Sequence, residues 1–153
     1  MKTKYFFLAL FVAATGFFFA SCEEDIAEAT MTKSTTMTGA QQVPAVTSSG
    51  TGTLSYTYNK SNRTLTYNIT WSGLTDSVNN MSINGLAVRG QSAGIVQSFS
   101  LSTVQRRKEG TFSGNVYIDE QVFKEADLLA GKFYVNVRTK AFPNGEIRGQ
   151  IEF

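Results

Sequence analysis

The sequence predicts an all-β domain, an antiparallel β-sandwich or barrel of the Ig-like kind, with one short helix before the last hairpin. Three observations predict it. Several short runs alternate apolar and polar residues at period two, as strands with one buried face do. Turn-forming residues separate these runs at short spacing, the pattern of sandwiches and barrels. Only residues 119–130 carry apolar residues at helical spacing.

The chain has 153 residues, enough for one ordinary domain. Its first residues read as an export signal. Lys2 and Lys4 form a positive start, residues 5–20 are apolar with only Thr15 and Gly16 interrupting, and Ala20-Ser21-Cys22 closes the stretch. Small residues before the only cysteine make a bacterial lipoprotein cleavage box, with Phe19 where leucine is usual. Residues 1–21 are therefore expected to be a lipoprotein signal peptide and Cys22 the lipidation site. Acyl chains there would bury many methylenes in a bilayer at about 0.8 kcal/mol each. The expected address is a membrane-anchored lipoprotein, periplasmic or on the outer-membrane surface of a Gram-negative bacterium.

The signal carries two of the fourteen Lys and Arg and none of the twelve acids, leaving twelve of each in the remainder. That balance argues against a nucleic-acid partner. Residues 22–36 run through Glu23, Glu24, Asp25 and Glu28 into Thr30, Thr32, Ser34, Thr35 and Thr36. So little apolar surface predicts a disordered tether, with the domain over residues 37–153. A domain of that length can bury about two-thirds of its unfolded surface and needs no cross-links.

Along the domain, residues 38–46 suggest a short edge strand running into a loop at Pro44. Residues 50–59 alternate Leu54, Tyr56 and Tyr58 with Ser55 and Thr57, and residues 59–62 make a turn. Residues 64–72 are the clearest strand: Leu65, Tyr67, Ile69 and Trp71 share one face, Thr64, Thr66, Asn68 and Thr70 the other. Met81 and Ile83 open another strand, closed by Asn84-Gly85. Residues 95–101 and 111–118 supply two more, the second with Phe112, Val116 and Ile118 inward, and Arg106-Arg107-Lys108 is a charged turn between them. In the helix candidate, Asp119 is the expected N-cap and Val122, Ala126 and Leu129 the buried stripe.

The last hairpin is the most explicit. Gly131 sits where a helix C-cap glycine would. Phe133, Val135 and Val137 alternate with Tyr134, Asn136 and Arg138, and Ala141-Phe142-Pro143-Asn144-Gly145 is turn chemistry. On the return strand Ile147, Gly149 and Ile151 look inward and Glu146, Arg148, Gln150 and Glu152 outward, which would let Arg138 and Glu146 meet as a surface pair.

Residues 128–150 (LLAGKFYVNVRTKAFPNGEIRGQ) resemble the end of a CHRD (chordin-type) domain, Thr38-Gly39-Ala40-Gln41-Gln42-Val43-Pro44 its opening, and Gly110-Thr111-Phe112-Ser113-Gly114 its middle. The resemblance covers about residues 37–153. Members of that family commonly carry a His-Ile-His-Gly motif and a late-strand Val-His-Thr, an arrangement that invites comparison with the Cu/Zn superoxide dismutase-like sandwich. Here the matching positions hold Ser82-Ile83-Asn84-Gly85 and Val137-Arg138-Thr139, and the chain has no histidine. If the family histidines bind metal, the resemblance implies that this chain does not do so in that way, because Arg138 would repel a cation.

The missing imidazole also removes Ser-His and Cys-His catalysis. The remaining candidates have bland readings that are better. Asp119 and Glu120 suit a helix start rather than a carboxylate pair. Glu125 and Asp127, two apart on the helix candidate, do not face each other. Arg106, Arg107 and Lys108 fit a solvated hairpin tip better than an anion site. Tyr56, Tyr58, Tyr67 and Trp71 fit a core better than a sugar platform. The expected role is thus a non-catalytic cell-envelope module, binding or structural, with no cofactor, no metal and no catalytic residues. Its partners would be the membrane, through the lipid, and a protein or glycan ligand. Ser82, Asn84 and Arg138 are the positions to follow. The alternatives are a degenerate metal or redox domain, and an enzyme acting on glycans with two carboxylates roughly 5–10 Å apart.

Overall fold

A computed structural model describes residues 29–153. The expected signal peptide, Cys22 and the first part of the expected tether lie outside the described residues. The domain is nearly all β: β1 (Thr30–Thr38), β2 (Thr51–Asn59), β3 (Thr64–Ser72), β4 (Val78–Gly85), β5 (Ile95–Ser98), β6 (Gly110–Tyr117), β7 (Phe133–Thr139) and β8 (Ile147–Ile151), with one short helix α1 (Glu125–Leu129) before β7. All eight strands are antiparallel and form one curled sheet in the order β5-β4-β7-β8-β1-β2-β3-β6.

The sheet consists of two four-stranded halves that meet at a narrow seam. β1 pairs with β2 over nine residues, from Thr30↔Asn59 to Thr38↔Thr51, but with β8 only at Thr38↔Arg148. The inner faces close around one core. β3 contributes Leu65, Tyr67, Ile69 and Trp71, while Met81, Ile83, Phe133, Val135, Val137, Ile147 and Ile151 come from the other half. Near the open edges, Phe99 stacks on Phe112 at 4.9 Å and on Tyr67 at 5.1 Å, so aromatic faces cover what backbone pairing does not.

Strict alternation in β2 and β3 buries the expected side chains, Trp71 included, and the Trp71 indole N–H donates to the Arg107 carbonyl at 3.0 Å. Three expectations are corrected. First, residues 30–36 are strand, not tether. Thr30, Thr32 and Thr36 are β-branched and line the solvent face of a pair, with Thr32 Oγ1 2.9 Å from Thr57 Oγ1 and Ser34 Oγ 3.2 Å from Ser55 Oγ, while Met37 reaches the core. A half-exposed strand of this composition looks like a linker until its partner is known. The same strand stops at Thr38, and a 3-10 turn (Gly39–Gln41) replaces the expected edge strand.

Second, the helix is one short turn shifted along the chain. Asp119 does not cap it. Its carboxylate accepts the backbone N–H groups of Gln121, Val122 and Phe123, each at 2.9 Å, which folds a local turn instead. Val122, Ala126 and Leu129 are exposed, and Phe123 and Leu128 are the buried residues.

Third, the outward face of the last hairpin is not solvated. Tyr134, Asn136, Arg148, Gln150 and Glu146 are all buried. Loops at residues 39–46, 86–94 and 140–145 fold over that face and form a second, polar layer.

Candidate functional site

Register alone places the polar layer. Ser82 pairs with Asn136 and Asn136 with Arg148; Asn84 pairs with Tyr134 and Tyr134 with Gln150. Two rows of side chains therefore cross β4, β7 and β8 on the face opposite the core, since successive residues of a strand alternate sides. Arg138 sits one further step along, opposite Asn80.

The buried polar side chains of these rows are hydrogen-bonded. Gln42 donates from Nε2 to Asn136 Oδ1 at 2.9 Å, and Asn136 donates from Nδ2 to the Asn144 carbonyl at 3.0 Å. The Tyr134 hydroxyl donates to the Ala93 carbonyl at 2.9 Å and accepts the Ala93 N–H at 3.1 Å. Gln150 donates to the carbonyls of Ala87 and Gly131 at 2.8 and 2.7 Å. Arg148 donates to the Gln91 carbonyl at 2.6 Å and to Gln150 Oε1 at 2.7 Å. The covering loops are thus held by side chains of the sheet beneath them, and each bond removes a desolvation penalty that burial would otherwise impose.

Between the loops opens a cavity of about 480 Å³. Asn84, Tyr134, Asn136 and Arg138 line its sheet side, and Pro44 and Phe142 stand among its loop residues. The three positions singled out in the sequence come together here. Arg138 Nη1 donates to Ser82 Oγ at 2.6 Å and to Asn80 Oδ1 at 3.2 Å, Nη2 makes a long 3.5 Å contact with Asn84 Oδ1, and Ser82 Oγ donates to Asn84 Oδ1 at 2.7 Å. Asn84 and Arg138 line the cavity; Ser82 braces them from behind. Burial pulls the Arg138 guanidinium below its usual pKa, partly offset by Tyr134, yet it remains a cation.

This donor set does not fit a transition metal. Ser82 and Asn84 offer neutral oxygens, Arg138 places a permanent positive charge against both, and among the described residues no Cys, Asp or Glu lines the cavity. Nor do the described residues of its walls include the carboxylate pair that glycoside hydrolysis requires.

Arg138 and Glu146 do not meet. Glu146 turns away from the cavity and accepts Ser48 Oγ at 2.6 Å, the Thr75 N–H at 2.7 Å and Thr139 Oγ1 at 2.7 Å. Burial alone would raise this carboxyl, but these donors outweigh it and hold its pKa below the usual glutamate value. The other sequence candidates scatter. Arg106 donates to the Asn79 carbonyl, Asp127 pairs with Lys132 and Glu125 accepts the Tyr58 hydroxyl. Tyr56, Tyr58, Tyr67 and Trp71 are core residues. Sequence reasoning missed Tyr134, Asn136, Arg148 and Gln150 as parts of the site. The one available signal was Tyr134, too large and apolar for a fully solvated strand face.

A family model, the CHRD domain, matches residues 33–151, from within β1 to the last residue of β8. No curated protein and no solved structure matches the chain.

Proposed function

From the premise that the chain belongs to the CHRD domain family, a family of non-catalytic modules, we propose that it is a lipid-anchored binding module of the cell envelope, with its ligand seated in the cavity bounded by β4, β7 and the loops at residues 39–46 and 140–145. The observation that carries this reading is the cavity itself. A polar layer fully hydrogen-bonded inside the protein, roofed by three loops, has no structural need of an open space of about 480 Å³. Cavities of this size with convergent polar groups are where small ligands seat.

The N-terminal sequence supports the anchor. If Cys22 carries lipid, residues 23–29 are the whole spacer before β1, spanning at most roughly 25 Å at ~3.5 Å per residue. The cavity's Gln42, Val43 and Pro44 follow the far end of β1, a nine-residue strand of about 30 Å. The mouth would then stand at the end of the domain remote from the bilayer, free to meet a ligand in solution.

Two experiments test this. Labelled palmitate should enter the wild-type protein and not Cys22→Ser when each is expressed in a Gram-negative host. An array of glycans and proteins, probed with the purified domain, should return ligands whose binding is lost in Ala141→Trp, which fills the mouth from an exposed position. Ligands that bind the filled variant undiminished would rule out the cavity as the binding site.

A further inference from the structure

We infer that the ligand of this cavity carries a carboxylate on a sugar ring, an acid of the uronate type, received by the Nε and Nη2 edge of Arg138. The inference rests on the binding-module reading above and adds the ligand's chemistry to it.

Arg138 has five N–H donors. Its bonds to described residues leave from Nη1, towards Asn80 and Ser82, and from Nη2, towards Asn84. All three acceptors are neutral, and none of these bonds uses Nε or the second Nη2 hydrogen. Those two hydrogens lie side by side on one edge of the guanidinium plane, the fork that grips both oxygens of a carboxylate. Ser82, Asn84 and Asn80 thus orient the group from the opposite side and leave its binding edge free.

Among the described residues no carboxylate lies within salt-bridge reach of Arg138. Glu146 is held by Ser48, Thr75 and Thr139, Glu152 pairs with Arg89, Glu120 with Arg63 and Asp127 with Lys132. Arg148 shows what a merely structural guanidinium looks like on the same face. It is fully buried, spends its donors on Gln91, Val88 and Gln150, and lies on the Tyr134 ring. Arg138 is only half-buried, lines the cavity and keeps its fork free. A desolvated cation with a free fork is complemented best by a ligand anion.

The cavity's remaining chemistry narrows the class. Among the described residues Arg138 is its only charged lining residue, which suits one negative charge rather than a polyphosphate. Pro44, Phe142 and Pro143 offer apolar faces to ring C–H groups, and about 480 Å³ holds one or two sugar rings rather than a folded partner. A free uronic acid and the terminal unit of an acidic glycan share this chemistry.

The test is a nitrogen-15 NMR titration of the domain with glucuronate, its methyl ester, glucose, acetate and an oligouronide. Glucuronate should move the Arg138 Nε–H signal and the backbone signals of the cavity; the methyl ester and glucose should not. Arg138→Gln should weaken glucuronate binding about tenfold or more, with Arg138→Lys between the two. The ester arm uses the wild-type protein, so it stands even if a variant unfolds. Tighter binding of the oligouronide at the same signals identifies a glycan terminus as the source; equal binding identifies the free acid. Failure of glucuronate to move Arg138, equal binding of the ester, or acetate binding as tightly as glucuronate overturns the inference. If array ligands that are neutral still lose binding in Ala141→Trp, the cavity remains the binding site and only the acidic-sugar assignment falls.

Discussion

The guanidinium carbon of Arg148 lies 3.5 Å from the centre of the Tyr134 ring. Arg148 is one of the largest fully buried side chains among the described residues and has no carboxylate within salt-bridge reach. Its charge is spread over the π face and the carbonyls of Gln91 and Val88, aided by Gln150 Oε1. Lysine keeps the charge but cannot reproduce the planar fork. Arg148→Lys should therefore leave part of this network unsatisfied, at about 1–3 kcal/mol in all. Urea denaturation should show the loss, and hydrogen exchange should speed up first in residues 86–94. A variant as stable as wild type would mean that these carbonyls find water instead.

Glu146 makes stability depend on acid. Its folded pKa lies below its unfolded one, so its contribution is complete above about pH 4.5 and disappears as pH falls through the folded value. Glu146→Gln removes the charge that Ser48, Thr75 and Thr139 are arranged to hold. We expect it to cost about 1.5–3 kcal/mol at pH 7, with the gap to wild type narrowing towards pH 3. Thermal melts of both proteins across that range check the sign. A gap that widens in acid would contradict the assigned direction.

Gly145 closes the last hairpin at φ +137°, a region that L side chains rarely adopt, and a Cβ there would meet the side-chain amides of Asn136 and Gln42. Gly145→Ala should destabilise the domain by about 1–3 kcal/mol. It should also part the Gln42–Asn136 hydrogen bond, so that NMR signals of residues 39–46 broaden or shift while those of β2 and β3 stay in place.

Residues 30–36 offer a direct contrast between strand and tether. Deleting residues 29–36 from the purified domain would remove most of the β1–β2 ladder and expose one edge of β2. The expected result is a clearly lower melting temperature and a greater tendency to aggregate. A disordered tether could be removed at no cost.

Alternation was enough to find β2, β3, β6 and β7, because each has one face in the core and period two survives in the letters. It failed on β1 and on the outer face of the last hairpin for a shared physical reason. Whether a polar strand face meets water or a covering loop depends on chain segments tens of residues away. Thr32 and Ser34 became strand because Thr57 and Ser55 stand opposite them; Arg148 and Gln150 became buried because residues 87–91 cross above them. The helix stripe failed differently. Asp119 captured three backbone N–H groups and pulled Phe123 rather than Val122 inward. Ser82, Asn84 and Arg138 were found as isolated positions through the family motif. Only the β4–β7 register turns them into neighbours.

The cavity wall draws on Gln42, Asn84, Tyr134 and Asn144, which are scattered over about a hundred residues of chain. No fragment that separates Gln42 from Asn144 could present it, and it cannot form before the loop at residues 140–145 has been made. If the cavity seats a ligand as proposed, recognition is all-or-none in the folded chain: a copy cut before Asn144 would be blind to the ligand, not merely weakened.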